Sequence, residues 1–290
     1  MVEKIWTVLE ILRWTEDYFK TNKLLDPRPD AEQLLSHVLN CSRLELYLHH
    51  DKPVSQKERD DLKVMIKKRL LHEPVQYITS RCYFMGLSFY VNSDVLIPRM
   101  ETEILVERAI DIAKHQNVTH IVDIGTGSGA IAISMAHYLP SQSILASDIS
   151  AKAIEIAKQN AVNLEVSDRV TFQEGDLLFP WLEQISVGAS YLILANLPYV
   201  REKEFASLPE EVRNYEPREA LVSGEEGLAH YQRLAEQLKQ INVPWTLLLE
   251  MGIDQTDLLR KMFLAGLNIA NIQVIKDLTG KDRVLLAQKK

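Results

Sequence analysis

Through residue 73, apolar side chains recur at helical spacing. Ile5, Val8, Leu9 and Leu12 fall on one face, and Ala31, Leu34, Leu35 and Val38 fall on another. Pro27 and Pro29 break the chain between these runs, and Asp30 is the expected cap of the second helix. "SQKERDDLKVMIKKRLLHE" reads as a third amphipathic helix, basic toward its end. Its charged face reads first as solvated surface, with a docking face for a partner macromolecule as the other reading. Between residues 74 and 98 the period changes. "VQYITSRCYFMGLSFYVNSDVLIP" alternates, is rich in Tyr, Phe and Val, and carries Gly86 near its middle, so it reads as a hairpin joining two domains.

From Glu101 onward strand and helix patterns take turns. The strands are expected at 120–123, 143–147, 169–173, 191–195, 245–250, 272–275 and 284–287. Helices are expected near 102–115, 129–138, 151–163, 225–241 and 254–265. Such alternation implies right-handed crossovers and a mostly parallel sheet. The last two strands flank "KDLTGKDR", a turn with Gly280, and read as an antiparallel pair. The expected division is therefore a helical domain at 1–73, a β-hairpin linker at 74–98 and an α/β domain at 99–290.

Composition narrows the class. A chain of 290 residues suits two unequal domains, and its 46% apolar share supplies a sizeable core. The net charge of −7 argues against a surface that attracts nucleic acid as a whole. Cys41 and Cys82 lie far apart with no CxxC partner, which suits free thiols in a reducing cytoplasm. "MVEKIWTVLEILRWTEDYFK" has acids within its apolar stretch and does not read as a signal peptide, and no apolar run reaches the length of a membrane span. His49 and His50 show no metal-ligand spacing, so no metal is expected, and Trp6 and Trp14 read as core.

Chemistry concentrates in two places. "HIVDIGTGSGAIAISMA" reads as a buried strand, a glycine-rich turn and an apolar helix. Gly125, Gly127 and Gly129 permit torsions and close ligand approach that a Cβ would forbid. The letters also satisfy the dinucleotide fingerprint, so an NAD oxidoreductase stands as one reading. Asp123, at the mouth of that strand, would repel a pyrophosphate and instead suits a cationic group such as an amino acid's ammonium. The next strand ends in Asp148, able to accept both ribose hydroxyls, or to cap the helix that begins near Ser150. The third strand ends in Asp176 of "EGDLL", where a carboxylate and a backbone amide can read an adenine edge. Ammonium, ribose and adenine in that order describe S-adenosylmethionine (SAM).

The second place is "LANLPYV", after the strand 191–195. Taken alone it is a strand stop, because Pro ends pairing and Asn favours turns. Beside a sulfonium donor it becomes a clamp for a planar NH₂ group. The Asn196 side-chain carbonyl and the Leu197 backbone carbonyl are two acceptors for its N–H bonds, Pro198 holds Leu197 extended, and Tyr199 offers a stacking face.

Nearly end to end, the chain resembles the HemK/PrmC family of N5-glutamine methyltransferases. The resemblance is carried by "EPVQYI", "FMGLSFYVNSDVLIPRMETEILVE", "DIGTGSG", "YEPREALVSGEEGLAHY", "EMGIDQ" and "DLTGKDRV". It implies a seven-stranded, Rossmann-like SAM-dependent methyltransferase domain behind a small helical domain that docks the substrate. The implied substrate is the glutamine of the Gly-Gly-Gln loop of class-1 peptide release factors. It implies SAM contacts from Gly125, Thr126, Gly127, Ser128 and Gly129, from Asp148 and Ile149, and from Leu177 beside Asp123, Asp176 and Asn196, with S-adenosylhomocysteine as product. Asn196, Leu197, Pro198 and Tyr199 would hold the glutamine. A cytoplasmic monomer that binds neither membrane nor nucleic acid is expected.

Two departures stand out. Leu197 replaces the first proline of the family's N-P-P-Y, and Met100 replaces the second proline of P-R-P-x-T-E. The Leu197 carbonyl survives because it belongs to the backbone, so activity is expected to persist. Arg99, Glu101 and Glu103 either line the cofactor entrance or pair with one another. "REKEFASLPEEVRNYEPREA" reads as an exposed loop placed to act as a lid. Alternative readings are a ribosomal-protein glutamine methyltransferase, an N6-adenine methyltransferase with the same clamp on a flipped base, and a non-catalytic SAM-binding module.

Overall fold

The structure is a computed structural model that describes residues 5–289. Residues 1–4 and 290, the outer ends of the expected domain ranges, lie outside the described residues. The chain divides into two compact units. One runs to Ser80 and includes Pro209–Tyr215, and the other comprises Arg81–Leu208 and the chain from Glu216.

The first unit holds α1 (Val8–Thr21), α2 (Pro27–Leu39), α3 (Arg43–Leu48), α4 (Gln56–Leu70) and the single turn α5 (Val75–Ile78). Helices α1, α3 and α4 open with capping boxes, Thr7 with Glu10, Ser42 with Glu45 and Ser55 with Glu58. Each satisfies two amide donors that a helix start leaves unpaired. Val8, Ile11, Leu12 and Phe19 pack with Leu34, Leu35, Leu62 and Ile66 in one apolar cluster. The expected stripe was out of phase at its start: Ile5 precedes the helix and is 71% exposed, whereas Ile11 is buried.

Asp30 is not a cap. Helix α2 begins at Pro27, because proline suits the first helical position, which leaves Asp30 inside the helix and buried. Its Oδ2 instead accepts from Arg69 Nε of α4 at 2.6 Å. Trp14 is not core either; it is half exposed and stacks on Tyr18 with ring centroids 5.1 Å apart.

In the second unit β1 (Cys82–Phe84) and β2 (Leu87–Phe89) form the expected hairpin, shorter than its sequence pattern because α5 takes the first residues of that run. Met85 and Gly86 form its turn, with φ of +50° and +73°. Tyr138 Oη donates to the Met85 carbonyl at 2.6 Å, and the Met85 amide donates to Glu103 Oε1 at 2.6 Å. The alternation follows as α6 (Glu103–His115), β3 (His120–Ile124), α7 (Ala130–Tyr138), β4 (Ile144–Asp148), α8 (Ala151–Asn163), β5 (Val170–Glu174) and β6 (Tyr191–Ala195).

The segment expected as an exposed loop is ordered into short pieces: turns at Glu202–Ser207 and Arg218–Ala220 with α9 (Glu210–Tyr215) between them. Helix α9 lies in the first unit, where Glu211 reaches Arg69 at 2.8 Å and Tyr215 Oη donates to the Leu71 carbonyl at 2.8 Å. The chain ends with α10 (Ala229–Leu238), β7 (Trp245–Glu250), α11 (Thr256–Gly266), β8 (Asn271–Lys276) and β9 (Asp282–Lys289).

The strands form one seven-stranded sheet in the order β5-β4-β3-β6-β7-β9-β8. It is parallel except for β9, antiparallel to β7 and β8 as the Gly280 turn suggested. Alternate residues of the central strands feed two cores, one on each face. Val122, Ile193 and Leu247 belong to the cluster with Leu234 of α10 and Phe263 of α11. Ile121, Leu192 and Leu248 belong to the cluster with Leu105 of α6 and Ile133 of α7. The chain reverses its direction of sheet growth between β3 and β6, and a crevice outside the carboxyl ends of strands at such a point is where open sheets bind ligands.

Candidate active site

The carboxyl ends of β3, β4, β5 and β6 open on a cavity of about 660 Å³, within the size range of small-ligand sites. The amides of Gly125 and Thr126 donate to the Ser147 carbonyl at 2.8 and 2.9 Å, pinning the glycine turn to β4. Its glycines do different work. A Cβ on Gly125 would lie 2.9 Å from Leu197 Cδ2, and one on Gly129 would lie 2.7 Å from Ile133 Cδ1 and 3.1 Å from Ala157 Cβ, so either would force neighbours to shift, at a φ of +70° or +82° that L residues rarely adopt. A Cβ on Gly127 would meet no protein atom within 4 Å. Gly127 lines the cavity, so what it leaves open is room for close ligand approach.

Asp148 lines the same wall. Its Oδ2 accepts from the Gly127 amide at 2.8 Å and its Oδ1 from the Ser150 amide at 2.9 Å. Burial raises its pKa, and the Ser150, Gly127 and Ile149 amides pull it back. The carboxylate keeps acceptor capacity for a ligand hydroxyl beyond these amides. The helix cap is Ser150 itself, whose Oγ accepts from the Ala153 amide at 3.2 Å. Ile149 and Leu177 add apolar wall. Asp176 also lines the cavity, but its carboxylate is engaged by Arg233 and by Gln237 Nε2.

Asp123 is not in the wall. It is fully buried, where Thr126 Oγ1 donates to its Oδ2 at 2.6 Å and the Ala132 amide at 3.1 Å. Burial pushes its carboxyl up to about 7, and Oδ1 has no hydrogen-bond partner. Thr126, Ser128 and Gly129 likewise lie behind the cavity, where they shape the turn.

Asn196, Leu197 and Pro198 line the cavity at the end of β6. Asn196 Nδ2 donates to Thr102 Oγ1 at 3.0 Å, which leaves Oδ1 without a bond to that hydroxyl. Leu197 is 2% exposed, its side chain packed over Gly125. Tyr199 sits outside the wall; burial and the nearby Glu250 charge push its phenol up to about 12. Its carbonyl accepts from Gln255 Nε2 at 3.1 Å.

Arg99 is not among the residues that line the cavity; its Nη2 donates to buried Glu216 at 2.5 Å. Leu96, Pro217 and His230 also line the wall; they lie in stretches that carried the family resemblance but were not singled out as site residues. Among the described residues no group of three His, Cys, Asp or Glu side chains is placed to hold a metal, and no helix is long and apolar enough to cross a membrane.

The residues fit SAM on the structure's own terms: Gly127 leaves open space, Asp148 has spare acceptor capacity, and one oxygen of the buried Asp123 carboxyl, Oδ1, has no hydrogen-bond partner behind the turn. A family model described as a methyltransferase domain matches residues 121–215. The hMettl16 catalytic domain in complex with a 3'UTR hairpin superposes with a TM-score of 0.56 at 15% identity, covering 94% of this chain and 90% of that one, a likeness of fold. The chain is thus an enzyme of the SAM-dependent methyltransferase class. A model of the PrmC N-terminal domain matches residues 10–79. Proteins named release factor glutamine methyltransferase are similar over nearly the whole chain. That of Chlorobaculum tepidum is 39% identical over 98% of this chain and 97% of its own length, and that of Rhodopirellula baltica 38% identical over the same shares. The chain belongs to the release factor glutamine methyltransferase family.

Proposed function

We propose that this protein methylates the side-chain amide nitrogen of the glutamine in the Gly-Gly-Gln loop of class-1 peptide release factors, with Asn196, Leu197 and Pro198 as the amide clamp and Tyr199, outside the cavity wall, as the residue that follows it. The carrying observation is the orientation of Asn196. Its Nδ2 is occupied by Thr102 at 3.0 Å, so its carbonyl oxygen is the atom available to a substrate NH₂.

An amide nitrogen is a weak nucleophile because its lone pair is delocalised into the carbonyl. Asn196 Oδ1 and the Leu197 backbone oxygen each accept one N–H bond of the glutamine, holding its nitrogen in line and favouring charge that develops outside the amide plane. When bound, SAM supplies an electrophilic methyl group on a sulfonium and leaves as S-adenosylhomocysteine. Asp148 takes the ribose hydroxyls, Gly127 lets the backbone approach the cofactor, and Ile149 and Leu177 flank the base. Asp123 acts through its charge from behind Thr126, favouring the cationic end of the cofactor. Asp176 shares its acceptor role with Arg233. Leu197 keeps the clamp carbonyl while its side chain serves the core beside Gly125.

The helical unit docks the release factor, and the protein acts as a cytoplasmic monomer without contacting membrane or nucleic acid, in keeping with its net charge of −7. Substitution of Asn196 by Ala tests the clamp. Transfer to the release factor is abolished while SAM affinity, measured by calorimetry, stays within about threefold of the parent, a change under 1 kcal/mol. Loss of SAM binding together with transfer would move Asn196 from the clamp to the cofactor site.

A further inference from the structure

A clamp asparagine has one freedom its reaction does not tolerate. Half a turn about its last bond exchanges Oδ1 for Nδ2 and would present a donor to a substrate NH₂ that needs an acceptor. Beyond Asn196 lies a buried chain of groups that controls this choice. Asn196 Nδ2 is 3.0 Å from Thr102 Oγ1, and Thr102 Oγ1 is 2.6 Å from Glu250 Oε2. Thr102 is 3% exposed and Glu250 1%, so water does not compete for either group. Thr102 stands just before α6 and Glu250 at the end of β7, which makes the contact one of tertiary structure.

A hydroxyl carries a single proton. Donated to the Glu250 carboxylate, it leaves only lone pairs on Thr102 Oγ1 for Asn196. Those lone pairs must be met by the amide NH₂, and Oδ1 is turned away from Thr102. We infer that Thr102 and Glu250 are positioning residues for methyl transfer: a buried carboxylate orients a hydroxyl, and the hydroxyl fixes Asn196 with its carbonyl toward the substrate amide. The inference rests on the clamp reading of Asn196.

Glu250 is built to be the end of such a chain. Its backbone carbonyl accepts from Tyr231 Oη at 3.0 Å, holding the strand end. The charged groups around it are Arg99 and Glu101 ahead of α6 and Arg283 of β9, itself paired with Asp277 at 3.2 Å; the phenols of Tyr199 and Tyr231 are the other titratable neighbours. Burial pushes the Glu250 carboxyl up to about 7, against the Thr102 hydrogen bond and the two arginines. Once protonated, Glu250 donates to Thr102. The Thr102 proton then becomes free to meet Asn196 Oδ1, and the amide turns over. The ionised form is therefore the active one, and turnover falls as pH drops through the Glu250 titration.

The test uses the full chain with a release factor and SAM. It measures kcat, KM for the release factor, SAM affinity by calorimetry and the pH profile of kcat between pH 6 and 9. Thr102→Val keeps the shape and removes the hydroxyl. It is expected to lower kcat by about 100-fold, the order expected for a misplaced reacting group, with KM and SAM affinity within about threefold. Thr102→Ser restores kcat to within about threefold, since the hydroxyl returns. Glu250→Gln accepts from Thr102 without titrating, so the acid limb of the profile flattens. A Thr102→Val enzyme with parental kcat would overturn the inference. So would a Ser variant as slow as the Val variant, an acid limb unchanged in Glu250→Gln, or SAM binding lost along with turnover. Asn196→Ala measured alongside separates the two claims: if it is active the clamp reading falls, and if it is inactive while Thr102→Val is active only the relay falls.

Discussion

Gly127 and Gly188 form a matched pair that isolates cofactor approach from backbone strain. Both are left-handed, with φ of +56° and +84°, and a Cβ on either would meet no protein atom within 4 Å. Alanine at either position therefore costs only the strain of holding an L residue there, roughly 1–2 kcal/mol. For a unit of this size that lowers the melting temperature by about 2–8 °C. The two differ in what lies beyond the Cβ. Gly188 precedes the amino end of β6, on the far side of the sheet from the cavity, whereas Gly127 lines it and donates its amide to Asp148. A methyl forced into a fitted contact costs about 1–3 kcal/mol, which is about 5- to 150-fold in SAM affinity. Thermal melts and calorimetry on the two variants decide the matter. Equal losses of melting temperature are expected, with SAM binding weakened in Gly127→Ala alone. Parental affinity in both variants would remove Gly127 from the cofactor contact. Weakened affinity in both would mean that general destabilisation, and not local approach, governs binding.

Two further substitutions probe buried charge. Asp123→Asn removes a carboxyl whose folded pKa of about 7 lies above its unfolded value of about 3.9. The native state thus holds the proton more tightly, so its contribution is fully present below pH 4 and is lost as pH rises toward 7. The Asn variant should melt higher than the parent at pH 8, lose less stability between pH 5 and 8, and bind SAM more weakly. An unchanged pH dependence of melting would exclude Asp123 as the titrating group. Asp30→Ala leaves Arg69, itself 3% exposed, with Glu211 as its remaining carboxylate partner. Breaking a buried pair costs about 3–5 kcal/mol. Hydrogen exchange should quicken first in α2 and α4, and parental protection there would show that the pair is dispensable.

Local periodicity made much of this molecule legible. The strands of the large sheet lie close to where alternation and β-branched runs put them, because each is bounded by its own turn residues. That the glycine turn and Asn196–Pro198 meet at one cavity follows the same logic: each is a contiguous stretch at the end of a strand. What escaped is non-local. Nothing near Asp30 announces that Arg69 sits opposite, so a buried ion pair read as a helix cap. Nothing near Asn196 points to Thr102 or Glu250, which reach it from before α6 and from the end of β7. Asp123 stands near the end of its strand, but its side chain turns inward to Thr126 and Ala132, which no local pattern announces. The charged stretch after the clamp looked like loop because its helices are too short to show a period.

The central claim is that this protein, with leucine in its clamp, methylates one release-factor glutamine. It is tested most directly by peptide mass spectrometry of a purified class-1 release factor after incubation with the protein and SAM. A release factor with Ala in place of the Gly-Gly-Gln glutamine serves as control. One added methyl group on that glutamine, absent from the control, is the predicted result. An unmodified glutamine, with SAM binding demonstrated in the same sample, would contradict the account and assign the clamp to another substrate.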